Sequence, residues 1–491
     1  MTSPSATEAP ADDDDDEAAG DSRRLADLVV VSNRGPVSFA PSPGGGVEAR
    51  PAGGGLAPSL AAALAQRSGG GTAIWVAAAM SEGDKLVASN NSAVSTGHDG
   101  PAVKLVALSE EVWRAAYDVV ANSTLWFVMH GLYDAPRRPV MDRRWLEAWT
   151  HFRTFNEAFA RAAAEVAAPG ATVLVNDYHL LLVGKMLAEL RPDLATVHFT
   201  HTPFASPDEL AMLPDAAARE LLEGMAGFGA CGFHSRRWST AFLASMDAYG
   251  VTPPSTFEAP LGPDSQRLLE VASSAECLDR QAALEERLAG KKLLLRSDRV
   301  ELSKNLLRGL LAFDALLEER PEWRGEVVHL IRAYTSRETL PEYLAYRAEL
   351  EHLTALVNER WGADGYLPVL LDVDDDFAAT VAAFRRYDVL LVNPVRDGMN
   401  LVAKEGPVLN ERNGTLVLSH RAGAFDELGP VVFGVNPFDV SATASALHEA
   451  LSLGEGDRAA LSGRLAALAA ANPPSQWLSK LLDQARAPET G

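Results

Sequence analysis

The stretch Val389-Leu390-Leu391-Val392-Asn393-Pro394-Val395-Arg396-Asp397-Gly398-Met399-Asn400-Leu401-Val402-Ala403-Lys404-Glu405 decides how this chain is read. Its first four residues are apolar and β-branched at both ends, and Asn393-Pro394 closes them. That is the pattern of a short buried parallel strand. A turn of small and polar residues then runs into a helical start, which puts Asp397 to Glu405 at the carboxyl end of a sheet. In open α/β sheets ligands bind there. Gly398 lets a ligand approach the backbone closely, and the amides that follow (Met399, Asn400, Leu401, Val402) suit an anion at the positive end of a helix. Asp397 and Glu405 suit hydroxyl donors, and a sugar or ribose is mostly hydroxyls. The plainer alternative is a strand-to-helix connection with an N-capping Asp. It explains neither the two spaced acidic groups nor a second, basic motif.

Composition sets the limits. A chain of 491 residues is too long for one core, so two domains are expected. A hydrophobic content of 47% fits a folded chain, and no apolar run reaches the roughly 18 residues of a spanning helix. The acidic N-terminus, which lacks an apolar stretch, does not resemble a secretory signal. With only Cys231 and Cys277 a disulfide framework is excluded, a reducing cytoplasm fits, and no zinc-ligand spacing occurs. Neither a metal nor a cofactor is expected. Part of the net charge of −22 sits in Asp12 to Glu17, within a Ser/Ala/Pro/Asp segment over 1–24 that reads as a disordered tail. The remainder is still acidic, which argues against nucleic acid as a partner. Any phosphorylated ligand must be held by local basic clusters.

Strands and helices alternate through two series, implying parallel sheets with helices on both faces. The first series starts at Leu28-Val29-Val30-Val31 and continues at Ala73–Ala77, Val103–Val106, Thr172–Val175 and Thr196–Phe199. The second starts at Lys292–Arg296 and continues at Val327–Ile331, Val389–Val392, Thr415–Leu418 and Val431–Val435. The pause near Gly262-Pro263 places a first domain at 25–264 and a second at 265–472. A last helix within 473–491 is expected to fold back onto the first domain. The motif-bearing loops lie at strand carboxyl ends in both halves, so a cleft between the domains is the expected site.

Arg296-Ser297-Asp298-Arg299-Val300-Glu301-Leu302-Ser303-Lys304-Asn305 follows the first strand of the second series. Arg299 and Lys304 span a strand–loop–helix junction, where a guanidinium fork and an ammonium suit a diphosphate. A solvated basic turn is the plain alternative. Gly53-Gly54-Gly55 before Leu56–Leu64 makes a phosphate cradle or a mobile surface loop. Asn176-Asp177-Tyr178-His179 and His198-Phe199-Thr200-His201-Thr202-Pro203 end adjacent strands and build a polar wall. Tyr117 to Trp126 adds rings that pack either on sugar faces or into the core.

These motifs together resemble the trehalose-6-phosphate synthase family of retaining glycosyltransferases, particularly its actinobacterial members. The resemblance rests on Ser32-Asn33-Arg34, Gly54-Gly55-Leu56-Ala57, Asn122 to Trp126, Asp177-Tyr178-His179-Leu180 and His201-Thr202-Pro203-Phe204. It continues through Asp298-Arg299 to Lys304, Ser336-Arg337, Asp397 to Glu405 and Asn436-Pro437, in order from about residue 28 to 470. It implies an α/β fold of two Rossmann-like domains with the catalytic cleft between them (the GT-B type), and transfer of glucose from a nucleoside diphosphate glucose to glucose 6-phosphate. It further implies that Arg34 and Arg337 hold the acceptor phosphate, with Tyr117, Trp126 and Asp177 shaping its pocket. Gly54 and Gly55 would meet the donor diphosphate, Arg299 and Lys304 neutralise it, and Asp397 with the amides after it grip the glucose. Glu405 would bind the ribose, and His201 would sit beside the transferring sugar. The chain departs from the family pattern at Ala77-Ala78, Asn176, Glu301 and Asn305, where Gly-Trp, His, Asp and Gly are usual. A pseudo-glycosyltransferase, a synthase with a glycerol phosphate acceptor and a silent sugar-phosphate sensor are the alternative readings. The donor base and self-association into a homo-oligomer stay open.

Overall fold

The computed structural model describes residues 25–42, 46–51, 56–65, 72–96 and 100–486. The acidic segment 1–24 and the expected phosphate-contacting Gly54 and Gly55 lie outside the described residues. In chain order the first half carries β1 (Ala26–Val31), β2 (Val37–Ser42), β3 (Gly46–Pro51), β4 (Ala73–Ala78), β5 (Ala102–Val106), β6 (Ala167–Asn176), β7 (Ala195–Thr200), β8 (Ala230–Phe233) and β9 (Ser255–Glu258). Apart from the antiparallel β2–β3 hairpin, these form one parallel sheet in the order β5-β4-β1-β6-β7-β8-β9. The second half carries β10 (Lys292–Arg299), β11 (Val327–Tyr334), β12 (Val369–Val373), β13 (Val389–Val392), β14 (Thr415–Ser419) and β15 (Phe433–Val435). They form a second parallel sheet, ordered β12-β11-β10-β13-β14-β15. β13 pairs in parallel with both β10 and β14 and is buried throughout, as its apolar run requires. The expected two Rossmann-like sheets are therefore present.

Local chemistry explains the helices that cover the first sheet. The helix Arg143–Val166 begins where the Asp142 carboxylate accepts the Trp145 amide. Trp145, Trp149, Phe152, Phe155 and Phe159 then recur at helical spacing and form one buried stripe. Arg114–Leu125 is wound more widely, as a π-helix of 12 residues, and carries Tyr117 and Asn122 to the cleft.

Several elements differ from the expectations. β8 has too few residues and too little bulk to announce itself. A Cβ at Gly232 would meet Phe257 at 2.5 Å and Phe199 at 2.6 Å, so glycine is what lets those rings close over the strand. β12 follows Pro368 and carries the charged Asp372, which pairs with Arg287 and Arg332. The expected strand Val431–Val435 shortens to β15, because Gly429-Pro430-Val431 forms a 3-10 turn with Pro near its start. The helix after β13 begins only at Val402, since Asn400 adopts a left-handed conformation with φ 73°.

The two halves are joined along a continuous seam. The first sheet ends with β9, and Leu268 and Ala272 of the helix Ser265–Ala272 are already buried in the second domain's core. The chain returns at Asn472, whose carbonyl accepts the Gly262 amide at 2.7 Å. The closing helix Pro474–Arg486 then buries Trp477, Leu478 and Leu481 beside Leu28, Val30, Trp75 and Phe199 of the first sheet. No helix among the described residues is long and apolar enough to cross a membrane. Because Trp477 is 2% exposed, Trp477→Ala is expected to cost about 3–5 kcal/mol in denaturant unfolding. A cost below 1 kcal/mol would mean that this helix contributes little to the first domain.

Candidate active site

Both sheets point their carboxyl ends into the seam, and the polar residues gathered there divide between two walls. On the second domain, β10 runs directly into Asp298 and Arg299, and a single 3-10 turn presents Lys304. Lys304 Nζ donates to Asp397 Oδ2 at 2.6 Å and lies 4.0 Å from Asp298. Arg296, fully buried, pairs with Asp298 at 3.2 Å, and Arg299 pairs with Glu301 at 3.0 Å. Arg337, with φ 53°, approaches the same Glu301 to 3.5 Å. Four cations thus face three carboxylates, which leaves one net positive charge in a partly desolvated space, a setting suited to an anion.

Protonation follows from these pairs. Burial disfavours the charged forms of Lys304 and Asp397, but their mutual attraction outweighs it. The ammonium is held above its usual range and the carboxyl below its own. Burial also opposes Glu301, yet Arg299, Arg337 and Lys304 hold its carboxyl down at about 2. Glu405, one turn into the helix Val402–Leu409, has no such partner, and burial pushes it up to about 7.

The first-domain wall is built from loops after β1, β6, β7 and β8. Asp177 follows β6 with φ 73° and accepts the His201 amide at 3.3 Å. Burial raises its carboxyl to about 6, against the pull of backbone amides and Arg337. His201 turns its ring into the protein, with Nε2 at 3.1 Å from Asn176 Oδ1 and Nδ1 at 3.2 Å from His234. A sugar beside it would meet the ring face rather than a free nitrogen. Tyr117 stacks on His179 with centroids 5.6 Å apart. Burial, then the charges of Arg337 and Arg34, lower the His179 imidazole to about 3, so both expected acceptor-phosphate arginines act electrostatically on this wall. Trp126 receives the Arg337 guanidinium 4.0 Å above its ring and that of Arg299 at 5.6 Å. Asn33 Oδ1, Asn122 Nδ2, Trp126 Nε1 and His179 Nδ1 are buried without a partner among the described residues. Buried polar atoms are seldom left unmet, so their clustering on one wall points to a polar ligand.

Arg34, Tyr117, Trp126, Asp177, His201, Arg299, Lys304, Arg337 and Asp397 therefore lie around one cleft. Met399 is buried in the second core, with Leu401 and Val402 packed against it, so only their backbone is available to a ligand. Gly398 is where the walls touch: a Cβ there would lie 1.8 Å from the His201 carbonyl oxygen. Sequence reading missed Tyr178, whose hydroxyl donates to Asn122 at 2.7 Å and accepts from Arg337 at 3.1 Å across the seam. It also missed His130, stacked on Trp126 at 3.9 Å and held at Nδ1 by the Trp126 carbonyl. The i, i+4 spacing of Trp126 and His130 was the available signal.

The model of glycosyltransferase family 20 matches residues 26–487. The chain belongs to glycosyltransferase family 20. A trehalose-6-phosphate synthase from Mycolicibacterium vanbaalenii is 33% identical over 93% of this chain and 95% of its own. A bifunctional trehalose-6-phosphate synthase/phosphatase from Thermoproteus tenax is 31% identical over 88% of this chain, which spans 59% of that protein. Among solved structures, a UDP-forming α,α-trehalose-phosphate synthase from Burkholderia xenovorans in complex with glucose 6-phosphate superposes with a TM-score of 0.80. It is 26% identical and covers 94% of this chain and 100% of that one.

Within the family, the unusual residues of this chain have physical counterparts in its structure. Asn305, read above as a departure from the family pattern, sits at φ 63°. Asparagine tolerates that left-handed conformation, and its amide also donates to the carbonyls of Asn393 and Pro437. Glu301, the other expected departure beside it, reaches both Arg299 and Arg337.

Because burial raises the Glu405 carboxyl above its unfolded value near 4.5, its stabilising contribution is intact below that pH and is lost as pH rises through about 7. Glu405→Gln cannot ionise. Its melting temperature is expected to gain on the wild type between pH 5 and pH 8, and a constant difference across that range would contradict a half-buried carboxyl that is desolvated and unpaired.

Proposed function

We propose that this chain transfers α-glucose, with retention, from a nucleoside diphosphate glucose to the anomeric hydroxyl of glucose 6-phosphate, giving α,α-trehalose 6-phosphate. The observation that carries this reading is the convergence of two anion-binding groups on one cleft. Arg299 and Lys304 stand at the end of β10 for a diphosphate, and Arg337, stacked on Trp126, together with Arg34, whose charge also acts on His179, supplies the positive field for a phosphate. The likeness to the Burkholderia xenovorans enzyme makes UDP-glucose the first donor to test, with GDP-glucose and ADP-glucose beside it.

The chemistry follows from the charges. Asp397, held ionised by Lys304, accepts hydroxyls of the glucosyl unit, and the amides after Gly398 face it. The family resemblance gives Gly54 and Gly55 to the diphosphate, and Glu405 accepts from the ribose. Trp126, Tyr117 and Asp177 border the acceptor, while His201 walls the transferring sugar. The bond from glucose C1 to the diphosphate oxygen breaks as the acceptor hydroxyl bonds to C1 on the same face. The hydroxyl proton passes to the departing diphosphate, so that nucleoside diphosphate and trehalose 6-phosphate leave. Charge grows on the diphosphate oxygen as that bond stretches, and Arg299 and Lys304 stabilise it where it develops. The side chains carry this role rather than a divalent ion, so chelation leaves turnover unchanged. The buried, unbridged Cys231 and Cys277 suit a reducing cytoplasm.

Steady-state kinetics with glucose 6-phosphate and the three sugar nucleotides test the assignment. Lys304→Ala is expected to lower kcat by roughly 10²–10³ with a smaller change in donor KM, as loss of an oxyanion-stabilising group does. Arg337→Ala is expected to raise the acceptor KM and leave the donor KM near its original value. Equal effects of both substitutions on both substrates would contradict the division of the cleft into donor and acceptor sides.

A further inference from the structure

Arg396 precedes Asp397 in the chain, yet its side chain belongs to the other domain. Nη1 donates to Glu209 Oε2 at 2.8 Å and Nη2 to Oε1 at 2.5 Å, a two-pronged pair, and Nη1 also reaches the Met129 carbonyl at 3.2 Å. The two side chains are only 11% and 18% exposed. We propose that Arg396 and Glu209 are positioning residues for glucosyl transfer: their ion pair latches the donor loop Val395–Asn400 onto the first domain and holds Asp397 in register with the acceptor wall. This rests on the transferase reading of the cleft.

Three features show a built contact. Glu209 is fixed before Arg396 arrives, because its Oε2 accepts from the Ser206 amide at 2.9 Å and the Ser206 hydroxyl at 3.0 Å, closing a capping box on the helix Pro207–Leu210. Burial alone would raise the Glu209 carboxyl, but Arg396 and Ser206 hold it below its usual range. Gly131, at φ 63°, comes in edge-on: a Cβ there would sit 3.1 Å from Glu209 Oε1 and 3.6 Å from the Arg396 guanidinium carbon. On the other side of Asp397, the buried Trp238 indole N–H donates to the Gly398 carbonyl at 2.9 Å, with the Arg396 guanidinium 6.0 Å from its ring. The first domain therefore grips the residues immediately before and after Asp397. Arg396 spends its guanidinium on Glu209 and the Met129 carbonyl, and neither it nor Glu209 is among the residues expected to meet substrate, so their effect passes through the loop. Either one left alone keeps its neutral contacts, the Met129 carbonyl for Arg396 and Ser206 for Glu209, but is a largely buried charge that has lost its bidentate counter-ion, which favours opening of the seam.

The test compares Arg396→Ala, Arg396→Lys, Glu209→Gln, the double variant Arg396→Ala/Glu209→Gln and Ser206→Ala with the wild type. It uses steady-state kinetics, calorimetric binding of UDP and small-angle X-ray scattering. Glutamine retains the capping acceptor but not the charge, so Glu209→Gln separates the latch from the cap. Arg396→Ala and Glu209→Gln are each expected to lower kcat roughly 10- to 100-fold, as a loss of alignment does, and the double variant to be no worse than the more damaged single one. UDP affinity stays within about threefold, because the diphosphate cations are untouched. Arg396→Lys recovers part of kcat; Ser206→Ala, which leaves the Ser206 amide and the Arg396–Glu209 pair in place, loses less of it than Glu209→Gln; and Arg396→Ala and Glu209→Gln show an enlarged radius of gyration. Wild-type kcat in Arg396→Ala, additive losses in the double variant, or UDP affinity falling in step with kcat would overturn the proposal. Absence of transfer by the wild type would overturn the transferase reading instead, and an unchanged scattering profile in the latch variants would then still overturn the latch.

Discussion

The structure depends on a contact that leaves no room for a side chain. At Gly398 the donor loop of the second domain lies against the His201–Thr202 backbone of the first. On its other side Gly423 closes on the same glycine, where an added Cβ would lie 1.9 Å from the Gly398 carbonyl oxygen. Three stretches of backbone are stacked there, held by the Gly423 amide to Asp397, the Ala424 amide to Met399 and the Trp238 indole to Gly398. Close packing of this kind transmits displacement rather than absorbing it. The position of Asp397 relative to the acceptor wall is therefore set by backbone thickness, and the rest of the seam serves to keep that stack closed.

Charge is arranged around the same stack. Lys304 is held by Asp397, Arg299 and Arg337 share Glu301, and Arg296 covers Asp298. Each cation already has a counter-ion before any ligand arrives, so the cost of desolvating it is offset within the folded protein. A phosphate or diphosphate entering this space meets a net positive charge and can share the cations with the carboxylates that already hold them. Glu301 ties the cation of the donor side to that of the acceptor side, so the two halves of the cleft share one electrostatic frame. The same logic explains the contrast with Glu405, which pairs with no cation among the described residues and whose carboxyl desolvation pushes up to about 7.

Much of this was legible in the chain. The apolar run at Val389 and the turn after it located the carboxyl end of the second sheet. The separation of Arg299 and Lys304 bridged a strand–loop–helix junction as read. The two-sheet architecture followed from the alternation of strands and helices. What could not be read were contacts made by residues far apart in sequence. Ser206-x-x-Glu209 is recognisable as a capping box, but nothing local says that its carboxylate also meets Arg396 across the seam. Tyr178 lies inside a motif that was noticed, yet its bond to Arg337 exists only once the domains close. β8 was invisible because its Gly232 answers to the rings of Phe199 and Phe257 rather than to any strand propensity. Asn305 looked like a departure because the left-handed conformation it satisfies is a property of the backbone.

The central claim, that backbone contact at Gly398 sets the reacting geometry, is tested most directly by the turnover number of Gly398→Ala. One added methyl has no space beside the His201 carbonyl, so the loop must shift by an ångström or more. The account predicts a kcat lowered by roughly 10² or more, the scale expected for a displacement of that size. Thermal unfolding should still show a folded protein. A folded Gly398→Ala variant that turns over at the wild-type rate would contradict the account.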